Sequence, residues 1–257
     1  MRYAHHEAGA LTLAVDCGGG GIKAAVLDEA GTLRAPALRV VTPYPLPPSR
    51  LLDILADFTE RLPPADRLTI GMPGMVRHGV VIDTPHYVTR HGPRTKVVPE
   101  LREAWQGFDL QRAAAARFGL STLVLNDAEV HGAGVVSGVG LEMILTLGTG
   151  LGNAIFDGGQ LAPHLELSRA QFRWGLSLDE YLGEHERLRL GDVLWGRRVR
   201  QVVESLRPVV LWDRLYIGGG NSRVLSATLR ERLGEDVVIV PNSVAIVGGV
   251  RAWRLRA

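Results

Sequence analysis

Two glycine-rich segments of the sequence have the residue types that bind phosphate groups. Their glycines are Gly18, Gly19, Gly20 and Gly21 in the first turn and Gly148, Gly150 and Gly152 in the second. Asp16 and Lys23 flank the first turn, and the second contains the hydroxyl of Thr149. Because glycine adopts positive φ at little cost, several backbone N–H groups can converge on one oxyanion in such a turn. We therefore expect a phosphate site, although either turn taken alone also fits an ordinary hairpin connection.

The elements around the two turns repeat along the chain. Apolar runs at residues 11–15 and 22–27 predict a strand on each side of the first turn, and runs at 143–147 and 153–156 predict the same for the second. This repetition indicates two related halves. Both turns join strand to strand, which excludes a Rossmann dinucleotide site, and neither ends in the Lys-Ser/Thr pair of a P-loop.

The remaining segments alternate between helical and extended patterns. Apolar residues at helical spacing predict a helix over residues 51–62, capped by Ser49, and a basic helix is predicted near 190–206. A strand at 122–125 precedes a polar pair and a further helix. Residues 87–99 have no period, and we expect an exposed loop there. Such alternation predicts an α/β protein.

Composition limits the classes of protein to which this chain can belong. With 257 residues, 46% of them hydrophobic, the chain can bury one large or two modest cores. Its 29 basic and 27 acidic residues nearly cancel, so no strong electrostatic field favours nucleic acid or a membrane surface as the main partner. The single Cys17 excludes a disulfide framework and a cysteine-cluster zinc site. The opening MRYAHHEAGA lacks an apolar signal region. We expect a cytoplasmic protein without structural zinc.

Six motifs resemble those of the ROK family of sugar kinases and repressors, in the same order and at similar spacing. They are LAVDCGGGGIKAAVLD, MPGMVRHGVV, LVLNDAEVHGAG, LTLGTGLGNAIFDGGQL, YIGGGNS and NSVAIVGG. The similarity is strongest to the polyphosphate/ATP glucokinase branch. It implies the actin-like ATPase (ribonuclease H-like) fold, in which two α/β domains, here residues 1–127 and 128–257, flank a cleft. The last helix is expected to pack back on the first domain.

The resemblance also assigns roles to the phosphate-binding residues. Asp16 would hold Mg²⁺, directly or through water, while the two glycine turns and Thr149 would bind the phosphates of ATP or polyphosphate from opposite domains. Lys23 would face these phosphates, or else be solvated or ion-paired. The glycines that would let a purine ring lie against a helix start are Gly218, Gly219 and Gly220.

The same resemblance implies a sugar site beside the phosphates. Asn126 and Glu166 would bond sugar hydroxyls, and the backbone around Gly74 would close the pocket. Asp127 would accept the proton of the attacking hydroxyl, because a carboxylate between a strand end and a helix start is well aimed at a cleft. The alternative for Asn126 or Asp127 is a helix N-cap.

One departure from the family pattern bears on the substrate. Arg169 stands where family members usually have a histidine, and guanidinium only donates hydrogen bonds whereas imidazole also accepts them. Arg169 would therefore suit an acidic or phosphorylated sugar, or it would pair with Glu166. Six arginines would follow polyphosphate or form a solvated helix face. They are Arg187, Arg189, Arg197, Arg198, Arg200 and Arg207.

Two functions remain open at this point. The first is a sugar kinase that transfers a phosphoryl group from ATP or polyphosphate to a hexose such as glucose. The second, which Arg169 favours, is a non-catalytic sugar or metabolite sensor.

Only about eleven residues precede the first predicted strand, so we expect no helix-turn-helix and no binding to DNA. The resemblance also implies a homodimer.

Overall fold

The computed structural model describes residues 9–256, without the side chain of Arg256, and most of the opening segment in which no signal region is expected lies outside this range. Strands and helices alternate, as predicted. The strands are β1 (Thr12–Cys17), β2 (Ile22–Leu27), β3 (Leu38–Val40), β4 (Arg67–Met72), β5 (Met75–Arg77), β6 (Val80–Asp83), β7 (Phe108–Asp109), β8 (Ser121–Asn126), β9 (Leu141–Leu147), β10 (Leu151–Asp157), β11 (Gln160–Leu161), β12 (Gln171–Arg173), β13 (Leu176–Ser177), β14 (Arg214–Gly218) and β15 (Val237–Ile239).

The helices connect these strands and cover the sheets. They are α1 (Pro48–Arg61), α2 (Pro99–Trp105), α3 (Leu110–Phe118), α4 (Asp127–Ala133), α5 (Leu178–Leu182), α6 (Glu184–Leu190), α7 (Asp192–Val210), α8 (Ala227–Leu233) and α9 (Val244–Arg251). Short 3-10 segments occur at Leu167–Arg169, Gly220–Val224 and Ala252–Arg256. Among residues 9–256, no helix is both long and apolar enough to cross a membrane.

Two five-stranded sheets have the same topology. Their strand orders are β3-β2-β1-β4-β8 and β11-β10-β9-β14-β15. In each sheet an antiparallel hairpin spans the glycine turn, with Cys17 opposite Ile22 in the first and Leu147 opposite Leu151 in the second. Two further strands then add in parallel to the first strand of the hairpin. The predicted repetition of the two halves is therefore confirmed at the level of topology.

Strand direction brings the site residues to one edge of each sheet. Because β1, β4 and β8 are parallel, their carboxyl ends meet, with Asp16 beside Gly71 and Met72 beside Asn126. In the second sheet β9 and β14 run parallel, and Gly218 lies beside Thr146. Ligands of open α/β sheets bind outside the carboxyl ends of such strands.

Each sheet has its own apolar core. The first core surrounds Phe58 and Trp105, and the second surrounds Trp195 and Tyr181, all of which are almost completely buried. Tyr87 also belongs to the first core, with its ring 5.8 Å from that of Trp105. The prediction of an exposed loop over 87–99 is therefore wrong at its start, because an aromatic ring there fills space beneath the sheet.

The last helix crosses to the first sheet. Gly249 of α9 approaches β1 so closely that a Cβ built on it would lie 2.5 Å from the Cβ of Ala14, and its carbonyl accepts a hydrogen bond of 2.7 Å from Thr69. A Cβ on Gly248 would lie 1.8 Å from the carbonyl oxygen of Val130 in α4. The crossing of α9 over α4 thus requires glycine, since any side chain would separate the two helices.

Two local predictions differ from the structure, and one hairpin was not predicted. Helix α1 begins at Pro48 and Pro47 occupies its cap position, so Ser49 is not the cap; proline suits the first helical turn because its fixed φ is helical and no N–H is required. The basic helix extends to Val210, beyond the predicted end. The hairpin of β5 and β6 was not predicted, because its strands are only three and four residues long.

Candidate active site

A cavity of about 860 Å³ lies between the carboxyl edges of the two sheets. Both glycine turns and Asp127 line it, so the structure brings the predicted phosphate and sugar residues together. The predicted residues that line the cavity are Asp16, Gly18, Gly19, Gly20, Gly21, Lys23, Gly74, Asn126, Asp127, Gly148, Thr149, Gly150, Gly152, Glu166, Arg169, Gly219 and Gly220.

Gly218 is the exception among the predicted site residues. It ends β14 and is buried, and a Cβ built on it would lie 2.7 Å from Cε1 of the His131 ring. The residue therefore packs against His131 of α4, which itself lines the cavity, while Gly219 and Gly220 reach the cavity surface. Its role beside a purine ring therefore stays a prediction, since a glycine run alone does not reveal which member faces inward. The run opens a 3-10 segment and not the predicted helix.

Side-chain hydroxyls hold the carbonyl groups of the first turn. Thr42 Oγ1 donates to the carbonyl of Gly18 at 2.7 Å, and Tyr44 OH donates to that of Gly19 at 2.8 Å. Tyr87 OH also reaches the Gly18 carbonyl, at 3.3 Å. Within residues 9–256 the N–H groups of Gly19 and Gly20 have no acceptor. These amides are therefore available to an anion in the cavity.

Different groups hold the second turn. The Gly148 carbonyl accepts from Asn221 Nδ2 at 3.0 Å and from the backbone N–H of Glu184 at 3.2 Å, and the same N–H reaches the Thr149 carbonyl at 3.2 Å. Asp179 Oδ1 accepts from the N–H of Leu151 at 2.8 Å. The start of α6 and one amide side chain thus replace the hydroxyls of the first turn.

Asp16 and Lys23 form a partly screened ion pair beside the first turn. Lys23 Nζ lies 3.8 Å from Asp16 Oδ2, and both residues line the cavity. Burial raises the pKa of Asp16, and the positive charge of Lys23 opposes this rise. The structure therefore contains the ion pair that was one alternative for Lys23. The Lys23 side chain also forms part of the cavity wall.

The start of α4 positions Asn126 and Asp127 differently. Asn126 is the N-cap: its Oδ1 accepts from the N–H of Ala128, and its Nδ2 donates to the carbonyl of Gly74 at 2.7 Å. Glu129 completes a capping box by accepting from the Asn126 N–H at 2.9 Å. Asp127 is the first residue of the helix and forms part of the cavity wall. The N-cap alternative is therefore right for Asn126.

The Asp127 carboxyl has a strongly shifted protonation equilibrium. Burial raises its pKa to about 7, the negative charge of Asp16 adds to the rise, and a hydrogen bond from the Ala128 N–H opposes it. A carboxylate with a pKa near neutrality can accept a proton from a substrate hydroxyl more readily than an ordinary one. Its environment is thus the one expected of a general base.

Gly74 closes the side of the cavity next to Asn126. Its φ is 96°, and a Cβ built on it would lie 2.3 Å from the carbonyl oxygen of Asp83. Both the dihedral and the contact exclude a side chain. The turn between β4 and β5 can therefore approach β6 and present its carbonyl to Asn126.

Glu166 faces the cavity from the second half of the chain. Ser168 Oγ donates to its Oε1 at 2.5 Å, and His164 Nε2 lies 3.5 Å from its Oε2. Burial favours the neutral form, but the contacts with His164 and Ser168 outweigh it and lower the pKa of Glu166 below its ordinary value. Glu166 is thus held as a carboxylate.

Arg169 makes an ion pair with Asp83 of β6, so it does not pair with Glu166. The side chain still lines the cavity, but its charge is balanced from the opposite half of the chain. This arrangement reduces its capacity to select an acidic or phosphorylated sugar, because a substrate anion must compete with Asp83.

The six arginines between 187 and 207 are absent from the cavity wall. Five of them pair with carboxylates, namely Arg187, Arg189, Arg198, Arg200 and Arg207. Arg198 is also buried. The charges of these five arginines are therefore balanced by carboxylates of the second half, while the binding of polyphosphate along this stretch stays a prediction.

Several residues around the site were not predicted. Thr42 and Tyr44 lie in or beside a proline-rich segment and Tyr87 lies in an aperiodic one, so only the tertiary structure brings them to the first turn. His164 and Asp179 likewise carry no local pattern. Asn221 directly follows the glycine run at residues 218–220, and this position is the one feature of the sequence that could have indicated its place in the site.

Comparison with known proteins identifies the family. The family model described as "ROK family" matches residues 12–163, more than half of the chain. The chain belongs to the ROK family. Polyphosphate glucokinase of Mycobacterium tuberculosis is 26% identical over 253 residues, which is 93% of this chain and 89% of that protein.

Solved structures of similar proteins agree with this assignment to the ROK family. The inorganic polyphosphate/ATP-glucomannokinase of Arthrobacter sp. strain KM is 26% identical, with a TM-score of 0.75 over 96% of this chain and 100% of that one. A ROK family glucokinase from Streptomyces griseus, in complex with glucose and AMPPNP, is 20% identical, with a TM-score of 0.67 over 94% and 98%. The predicted family and the actin-like ATPase fold are confirmed.

Proposed function

We propose that this ROK protein is a sugar kinase that transfers a phosphoryl group from ATP or polyphosphate to a hydroxyl of a hexose such as glucose, with Asp127 as the general base. One observation supports this function above all others: two amide-lined turns from opposite halves and a carboxyl group with a pKa near 7 line the same cavity. The relatives support the same chemistry, since their names give polyphosphate or ATP as donor and glucose or mannose as acceptor.

The acceptor sugar would bind beside Asn126 and Glu166. The Asn126 side chain is already oriented by Gly74 and the helix start, and Glu166 is fixed by Ser168. A charged carboxylate and an amide can together accept and donate several hydrogen bonds to neutral hydroxyls. Because Arg169 is paired with Asp83, an uncharged hexose suits this pocket better than an acidic one.

The reaction joins the two sides of the cavity. The sugar oxygen attacks the terminal phosphorus of the donor, Asp127 takes the hydroxyl proton, and the bond from phosphorus to the bridging oxygen of the donor breaks. The products are a sugar phosphate and either ADP or a polyphosphate shorter by one unit. The turns would stabilise the charge on the transferred group, since positioning and electrostatics dominate phosphoryl transfer.

The residues present fit a magnesium ion carried by the donor. Mg²⁺ binds through one or two carboxylates together with substrate phosphates and water, and Asp16 offers a partly buried carboxyl group in the cavity wall. Among residues 9–256, no group of three or more His, Cys, Asp or Glu side chains is arranged to hold a metal alone. Asp16 would therefore hold the ion jointly with the phosphates, and the ion would neutralise phosphate charge.

The direct test is a matrix of acceptors and donors. Glucose, mannose, an N-acetylated hexosamine and a hexuronic acid are each incubated with ATP or long-chain polyphosphate in the presence of Mg²⁺, and sugar phosphate is measured. We expect phosphorylation of a neutral hexose. If no pair reacts while one sugar raises the melting temperature, the protein is a sensor and the proposed activity is wrong.

A further inference from the structure

His164 lies between two carboxylates that belong to different parts of the sugar site. Its Nδ1 is 3.1 Å from Glu129 Oε1, and its Nε2 is 3.5 Å from Glu166 Oε2. The side chains of His164 and Glu129 are buried, with exposed fractions of 4% and 5%, and that of Glu166 is mostly buried, with 15% exposed. His164 itself is absent from the cavity wall, so it contacts the site only through these neighbours.

Two buried carboxylates this close to one imidazole need a positive charge. Burial alone would lower the pKa of His164, but the adjoining carboxylates of Glu129 and Glu166 outweigh it and raise the pKa to about 9. Arg169 is engaged by Asp83, which leaves His164 as the cation in contact with Glu166. Replacing it by an apolar residue would leave Glu129 and Glu166 buried without that partner.

Glu129 connects this cluster to the start of α4. Its Oε1 faces His164, whereas its Oε2 accepts the N–H of Asn126 at 2.9 Å. The same turn carries Asp127. His164 therefore links Glu166, on the second half of the chain, to the helix start that presents Asn126 and Asp127.

We propose that His164 is a positioning residue for the acceptor sugar, a role that depends on the proposed sugar-kinase function. It keeps Glu166 ionised and fixes its distance from Asn126 across the pocket. The donor lies on the other side of the cavity, at turns that His164 does not contact. Loss of His164 should therefore weaken sugar binding while leaving donor binding intact.

The test compares His164→Leu with His185→Leu, the same change at an exposed histidine on α6. For His164→Leu we expect the KM for the hexose to rise about tenfold, since the charge contacts of His164 with Glu129 and Glu166 are lost, while the KM for the donor stays within about twofold. His185→Leu should change neither value. If His164→Leu does not fold, as judged by its melting curve, His164→Gln supplies the same comparison with a smaller rise.

A double-mutant cycle shows whether His164 acts through Glu166. In a Glu166→Gln background the further change His164→Leu should raise the sugar KM by less than about twofold, because the group it positions is gone. Additive effects, or a sugar KM unchanged in His164→Leu, would overturn the role of His164. Wild-type protein that phosphorylates no hexose would instead contradict the proposed function, and the two failures are thereby distinguished.

Discussion

The two glycine turns expose amides to the same cavity but are supported in different ways. The carbonyls of the first turn are held by hydroxyls of Thr42, Tyr44 and Tyr87, which come from segments far along the chain. The carbonyls of the second turn are held by Asn221 and by the N–H of Glu184 at the start of a helix. The repeated topology thus fixes where the turns lie, while separate contacts in each half fix the orientation of their peptides.

The acidic residues beside the turns differ as well. Asp16 lies next to Lys23 in the cavity, with no backbone N–H donating to its carboxylate in the described part of the chain. Asp179 instead accepts a hydrogen bond from Leu151 and so takes part in the structure of the second turn. On the proposed function, Asp16 of the first half would hold the metal, whereas the second half would contribute backbone amides and the Thr149 hydroxyl.

Substitution of Asp16 and of Asp179 is expected to give the largest difference in activity between the two turns. Asp16→Asn should lower kcat/KM by about 10²-fold or more, because the ion that neutralises the phosphates loses its protein ligand. Asp179→Asn should cost less than about fivefold, since an amide oxygen can still accept the Leu151 N–H. Steady-state rates as a function of Mg²⁺ concentration measure both. Equal losses in the two variants would remove the distinction between the turns.

The pH dependence tests which carboxyl group acts as the base. Asp127 must be deprotonated to accept a proton, and its pKa is raised to about 7. The value of kcat/KM for the sugar should therefore fall about tenfold per pH unit below about pH 7 and level off above it. A profile that stays flat down to about pH 5 would show that no group with this pKa takes the proton.

The hydroxyls around the first turn should have a smaller effect, confined to the donor. Tyr44→Phe removes the hydrogen bond to the Gly19 carbonyl and should raise the KM for the donor about fivefold, with the sugar KM unchanged. Tyr181→Phe, which removes a hydroxyl bonded to Gln201 in the second core, is the matched control. Equal donor KM values for both variants would mean that the hydroxyls do not orient the turn.

The ion pair across the cavity mouth should matter least. Arg169 and Asp83 are bonded near the surface, and such pairs contribute little because water screens them. Arg169→Ala is expected to change the sugar KM by less than about threefold, in contrast to His164→Leu. A tenfold change would place the guanidinium in direct contact with the sugar and would reopen the possibility of an acidic substrate.

The sequence was most informative where function depends on local chain geometry. The glycine turns and the strand end that carries Asn126–Asp127 were predicted from adjacent residues, whereas the roles of Asp16, Asn126 and Asp127 were implied by the resemblance to the ROK family. The repeated halves also followed from apolar runs separated by glycines. The cavity therefore contains both turns found from local patterns together with residues, such as Glu166, that only the resemblance indicated.

Contacts between distant segments were not predictable in the same way. Tyr44 reaches Gly19 from 25 residues away, and Arg169 reaches Asp83 from 86 residues away. Nothing near His164 signals that a turn of α4 will bring Glu129 beside it. Gly218 shows the limit of a local pattern, since it belongs to a glycine run but packs against His131 and does not line the cavity.

The most direct test of the central claim is single-turnover phosphoryl transfer by Asp127→Asn, with sugar affinity measured on the same protein by calorimetry. Asparagine keeps the shape of the side chain and the hydrogen bond from Ala128 but cannot accept a proton. We predict that the transfer rate falls by at least about 10²-fold while the sugar Kd changes less than about threefold. A variant that transfers phosphate at the wild-type rate would contradict the role of Asp127 and the mechanism built on it.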